Sequence, residues 1–316
     1  MPEAPALAAS IAHCRKLARS AARNFYYGFR LLPAEKRDAL CALYAFMRGV
    51  DDISDEPGDV ASKTRGLAEC RARMDRALSG DAPELEKDLV WPAFRHFVQR
   101  FGIPPRYLHD LVSGAEMDLT VARYETFERL REYCYRVAGT VGLCCVYVFG
   151  FSAPRAAGLA ETLGIAFQLT NILRDIPKDY RMGRVYLPQQ DMARFGCRPE
   201  HLAAPHAGPN LASLVQFEAA RAWEFYQEGW SLIPLVERDS RSALWALARI
   251  YSGILEKIEM RNWDVLAAPP ARLSTAEKVW ILAQARLGWD GADDVPRKRD
   301  GDRRRAGGAF LGRRAG

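Results

Sequence analysis

An all-α fold is the class this sequence predicts, and three observations predict it. Apolar residues recur at steps of three and four along most of the chain, as on the buried face of a helix. No alternation with period two persists for more than a few residues, so strands have no support. Gly and Pro cluster between the periodic stretches, where helices stop. The 316 residues permit one large domain or two ordinary ones. A single all-α domain over residues 1–290, of about ten helices, is the economical reading, followed by a basic Arg/Gly-rich tail at 291–316 that composition predicts to be disordered.

In order, residues 6–23 are Ala-rich and amphipathic, and 24–33 are aromatic and turn-like. Residues 34–55 predict a helix closed by Glu56, Pro57 and Gly58. Residues 60–78 alternate charged and apolar groups at helical spacing and stop at Ser79 and Gly80. A helix at 83–101 ends before Gly102, Pro104 and Pro105, and another covers 106–118. After an irregular stretch to Tyr124, residues 126–151 predict one long apolar helix, and 154–176 the next. Residues 179–188 read as a loop with Tyr and Arg anchors, and 198–209 as the longest linker. Three helices follow, at 211–236, 240–266 and 274–287.

Two of these helices carry an unusual polar face. In QLTNILRDIPKD, Gln168, Asn171, Asp175 and Asp179 are spaced three, four and four, which places them on one side of a helix. Leu169, Ile172, Leu173 and Ile176 fill the other positions, so the helix enters a core. In LYAFMRGVDDISDE, Tyr44, Arg48, Asp51 and Asp55 repeat the design. Burying a carboxylate costs several kcal/mol unless a partner or a metal compensates it. Two matched carboxylate pairs therefore point to one site for a hard divalent cation, and Mg2+ shared with substrate phosphates suits such ligands. The plain alternatives are solvated acids, with Arg48 and Arg174 in intrahelical ion pairs. Facing a diphosphate, those guanidinium forks give bidentate bonds instead, and Arg23 adds a third. Tyr44, Tyr133 and Tyr251 lie on apolar helices, either as core tyrosines or as aromatic faces that stabilise a carbocation.

Composition excludes other classes. Eight of the 45 basic and two of the 39 acidic residues lie in 296–316, leaving 37 of each, so the net +6 belongs to those last residues and the rest of the chain is neutral. A basic nucleic-acid-binding body is not indicated. Seven Cys without a C-x-x-C spacing suggest neither a disulfide framework nor a zinc site, and buried thiols in a cytoplasmic protein fit them. Residues 137–151 are too short for a membrane span of roughly 20 residues, and no signal segment is evident. The five His show no ligand spacing. No dinucleotide fingerprint, NTPase loop or hydrolase elbow occurs.

At four stretches the chain resembles the squalene/phytoene synthase family of head-to-head prenyl transferases: FYYGFRLLP (25–33), ALYAFMRGVDDISDE (42–56), YCYRVAGTVG (133–142) and 168–188. The resemblance implies an all-α isoprenoid synthase fold around a central cavity. It implies Asp51, Asp55, Asp175 and Asp179 as Mg2+ ligands with Asn171 and Gln168 in the same site. Arg23, Tyr44, Arg48 and Arg174 would contact diphosphate, beside Asn24 and Phe25. Tyr133 matches a tyrosine near the reacting carbons, and Tyr251 and Arg272 match late phosphate contacts. Two departures stand out. Asn24 replaces the family's usual serine, and Pro177 predicts a kink or an end of the helix before Asp179.

The implied reaction is loss of diphosphate from an allylic diphosphate and attack by a second prenyl diphosphate, through a cyclopropylcarbinyl diphosphate. Its product is squalene with hydride from NADPH, phytoene by proton loss, or presqualene diphosphate if the reaction stops there. A general likeness of YAFMRGVDDISDE to bacterial squalene-type members favours farnesyl over geranylgeranyl diphosphate. Two other readings are a head-to-tail transferase or terpene cyclase, and a non-catalytic helical assembly protein. The second aspartate stretch opposes the former, and retention of all four acids opposes the latter. Greasy substrates and the +6 tail also suggest peripheral contact with the inner membrane surface.

Overall fold

The computed structural model describes residues 4–80 and 82–288. It is built of helices; among the described residues the β-pairing is limited to two isolated bridges. Helix α1 (Ala4–Ala21) packs on α3 (Ala34–Asp55), and α2 (Arg23–Phe29) lies between them in sequence. The expectation of a turn at 24–33 is therefore corrected. Residues 23–29 are helical because the segment is covered on more than one side: Phe25 meets Tyr251 and Gly28 lies where a Cβ would strike Leu247, while Lys278 lies over the Tyr27 ring at 5.3 Å. Helix α4 (Val60–Ser79) is capped by Asp59, whose carboxylate accepts from the Ser62 amide, and closes on Gly80 at φ +83°. Then come α5 (Trp91–Arg100) and α6 (Pro105–Thr120). The single helix expected at 83–101 is a 3-10 turn, Pro83–Lys87, followed by α5.

The long apolar helix expected at 126–151 is three joined pieces: α7 (Phe127–Cys134), a π turn (Tyr135–Gly139) and α8 (Thr140–Phe149). Helix α9 (Arg155–Arg181) is the centre of the molecule, packed against α8, α11 and α12. It does not end at Pro177 but runs on for a turn, so Asp179 is helical. The proline removes one backbone bond, while amides of Met182 and Arg184 bond back to the Asp179 carbonyl and hold the last turn. After α10 (Gln189–Arg194) and a 3-10 turn within the expected linker (Pro199–Ala203) comes α11 (Pro209–Gly229). A 3-10 segment, Trp230–Leu235, replaces the end of the helix expected at 211–236. Helices α12 (Arg238–Met260) and α13 (Thr275–Arg286) complete the fold.

Helices α8 and α9 approach so closely that backbone meets backbone. A Cβ on Gly142 would lie 2.2 Å from the Ala160 carbonyl oxygen, and one on Gly164 would lie 2.3 Å from that of Ala138. Around this crossing the core buries Trp223, Trp230 and Trp245 almost completely. Each large apolar side chain so buried contributes on the order of 1.5–3 kcal/mol.

Candidate active site

A cavity of about 340 Å³ opens between α3, α6, α8 and α9. Its lining is apolar over most of its depth. Along α3 it runs through Leu40, Leu43, Tyr44 and Met47 to Asp51, and along α9 through Ala160, Leu163, Gly164 and Phe167 to Gln168 and Asn171. From Leu40 to Asp51 is about 16 Å of helix rise. Polar groups gather at one end: Asp51, Asp118, Tyr133, Gln168 and Asn171.

The π turn helps bring this about. One extra residue in that turn shifts the helical register, so Tyr133 before it and Val137, Ala138 and Val141 within and after it line the same cavity. Asp118, near the end of α6, accepts hydrogen bonds from the Tyr133 hydroxyl at 3.0 Å and the Tyr186 hydroxyl at 2.9 Å. The two phenol oxygens are 3.3 Å apart, and the Tyr124 ring packs on both rings. Arg184 donates to the Asp118 carbonyl at 3.4 Å. Burial pushes the Asp118 carboxyl above its ordinary range, while Arg184 and the two hydroxyls oppose the rise.

Both aspartate pairs lie within electrostatic reach of Asp118. Asp51 opens onto the cavity, yet protein crowds it. That desolvation, and next the charge of Asp55, push it up to about 7 against the pull of Arg48. Asp179 is likewise raised to about 7, by burial first and then by Asp175. These are carboxylates short of positive charge. Asn171 adds a buried Oδ1 with no hydrogen-bond partner; its amide nitrogen donates to Gln168 Oε1 at 3.5 Å. Among the described residues, no three Asp, Glu, His or Cys side chains converge into a closed cage. Oxygen donors in pairs, short of a cage, fit Mg2+, which keeps waters and shares phosphate oxygens.

The structure treats the other expected residues differently. Phe25 and Tyr44 line the cavity. Arg48 pairs with Asp52 at 2.5 Å, and Arg174 grips its neighbour Asp175 through two nitrogens, at 2.9 and 2.5 Å. Both arginines thus rest on carboxylates of their own helices. Tyr251 is buried behind the lining, stacked on Phe167 at 4.4 Å. Asn24 is half-buried on α2, and Arg272 is exposed on the segment before α13. Arg23 opens α2, but its side chain lies outside the described residues. Asp118 and Tyr186 are site groups that sequence spacing did not reveal; the only signal was the Tyr and Arg content of 179–188.

All-α architecture, an apolar cavity and acids at one end define a prenyl-condensing class. The chain belongs to the squalene/phytoene synthase family, which matches residues 18–277. It is 35% identical over 264 residues to a 15-cis-phytoene synthase of Synechococcus elongatus, covering 80% of this chain and 84% of that one. It is 39% identical over 240 residues to a phytoene synthase of Mycobacterium tuberculosis, covering 74% and 77%. Among solved structures, a dehydrosqualene synthase in complex with a ligand superposes with a TM-score of 0.81 at 31% identity, covering 89% of this chain and 96% of that one. A squalene synthase from Alicyclobacillus acidocaldarius gives 0.75 at 28%, covering 81% and 95%. The chain is accordingly a prenyltransferase of the head-to-head type.

Proposed function

We propose that the protein condenses two molecules of geranylgeranyl diphosphate, in the presence of Mg2+, to 15-cis-phytoene. The carrying observation is the apolar cavity whose two lining acids, Asp51 and Asp118, lie at one end, which separates where diphosphate leaves from where hydrocarbon rests. The squalene reading drawn from YAFMRGVDDISDE yields to the phytoene one, because relatives at 35 and 39% identity bear the name phytoene synthase.

Asp51, Asp55, Asp175 and Asp179, with Asn171 Oδ1, would hold the metal. When bound it supplies a Lewis acid that neutralises the leaving diphosphate. Arg48 and Arg174 exchange their intrahelical carboxylates for diphosphate oxygens, and the exposed Arg272, with Arg23 and Asn24 at the start of α2, would add to them. Gln168 orients the same group. Phe25 and Tyr44 place aromatic faces, with their negative quadrupole, along the cavity where positive charge develops; Tyr251 packs directly on Phe25, ring centroids 5.2 Å apart. Tyr133, its hydroxyl held by Asp118 at 3.0 Å, would stand beside the reacting carbons at the polar end of the cavity. The apolar walls exclude the water that would quench a cation.

The final step on this reading is loss of a proton, so no NADPH is required. Incubation with farnesyl or geranylgeranyl diphosphate and Mg2+, with and without NADPH, followed by identification of the hydrocarbon, tests it. Phytoene formed without NADPH is the expected result; squalene formed only with NADPH overturns it.

The peripheral reading belongs here too. No helix among the described residues is long and apolar enough to cross a membrane, and the tail lies outside those residues. Deleting 291–316 should leave turnover on detergent-dispersed substrate intact and weaken co-sedimentation with anionic vesicles at low salt. Equal vesicle binding with and without the tail refutes that role.

A further inference from the structure

Opposite the acids, the cavity is closed by apolar side chains from three elements. Leu40 comes from α3, Phe149 from the end of α8 and Leu244 from α12. Immediately behind them sits a lysine. Lys36 is 8% exposed. Its ammonium donates to the Phe149 carbonyl at 2.9 Å, Glu237 Oε2 at 2.7 Å, Asp239 Oδ1 at 2.6 Å and Ser240 Oγ at 3.0 Å. The Ser240 hydroxyl reaches the same Phe149 carbonyl at 3.1 Å. Backbone bonds from Ser152 to Leu235 and from Glu237 to Gly150 tie the two connections together alongside. Gly150, at φ +71°, is where a Cβ would strike the Glu237 carboxylate.

We propose that Lys36 is a positioning residue for substrate chain length: its ammonium pins the three elements that close the cavity and so fixes the cavity's depth. The register supports this. Leu40 is one helical turn after Lys36, Leu244 is one turn after Ser240, and Phe149 is itself held by its carbonyl. A shift of any one element moves a floor residue. Lys36 is buried while its two carboxylate partners stay about half exposed, and fixing one arrangement among several is a use attested for a buried charged group. The lysine touches no lining atom of the acid end, so it acts through Leu40, Phe149 and Leu244.

The proposal rests on the prenyl-condensing reading of the cavity. Its test is selectivity, which a merely structural role would not move. For the full-length protein, kcat/KM is measured with 15-, 20- and 25-carbon allylic diphosphates for wild type and Lys36→Met. The 25-to-20 ratio is expected to rise on the order of tenfold, the scale at which a hydrophobic pocket discriminates small differences in size. If Lys36→Met does not fold, Asp239→Asn decides, because that carboxylate is half-exposed and its loss loosens the same contact. A folded variant that keeps the wild-type ratio, whatever its overall rate, overturns the proposal. A wild type that prefers the 15-carbon substrate instead overturns the phytoene reading, and the latch is then judged by the shift from 15 toward 20 carbons.

Discussion

Asp51 and Asp175 face the same conflict in two helices: each carries a charge that its neighbour four residues on repels. Asp51→Asn or Asp175→Asn should lower diphosphate release by at least about a hundredfold; thermal melting of the metal-free protein stays at or above wild type for Asp51→Asn, whereas Asp175→Asn leaves Arg174 without its carboxylate and melts lower. Full activity in both variants would remove the metal assignment. Arg48→Lys keeps the charge but loses the fork, so kcat/KM is expected to fall about tenfold. Unchanged kinetics would leave Arg48 as a partner of Asp52 alone. These groups were legible because their spacing on one helix announces them. Asp118 was not, since its partners Tyr133 and Tyr186 stand 15 and 68 positions away in sequence. Nothing within α6 marks it.

Elements whose burial is one-sided were readable from periodicity, as in α4, which buries Leu67, Met74 and Ala77. Those covered on both sides were not: α2 shows three consecutive aromatics, Phe25 to Tyr27, with no polar face to set the period. Pro177 misled for another reason, because a local rule about helix ends gave way to the packing of the central helix. Gly142→Ala should lower the melting temperature by several degrees, since the clash with the Ala160 carbonyl exceeds the ~1 kcal/mol that alanine gains in helix propensity. At the start of α13, Ser274 and Glu277 form a capping box, and Lys257 lies 2.6 Å from Glu277. Lys257, then the Ser274 amide, pull the Glu277 carboxyl from 4.5 down to about 2. A depressed folded value stabilises above the unfolded one and is lost as pH falls toward 2. Glu277→Gln should therefore melt below wild type at pH 7, by a modest margin given its exposure. The gap should close between pH 4.5 and 2.

Across the whole molecule charge is unevenly placed. The neutral body holds the cavity, and the sequence's excess of Lys and Arg is confined to its last residues. The helices were legible from their periodicity, and the layout around a central cavity from the resemblance carried by 25–33, 42–56, 133–142 and 168–188. Which prenyl chain the cavity accepts was not, because depth is set where distant elements meet. The crossing of α8 and α9 has a bearing on how such a cavity can be altered. Where two main chains touch, there is no side chain to trim, and hence no raw material for selection. A randomised library screened for acceptance of bulkier substrates should return winners at Leu40 and Leu244, and only the parental residue at Gly142 and Gly164. One wall of this enzyme is closed to redesign, and its adaptability resides in the others.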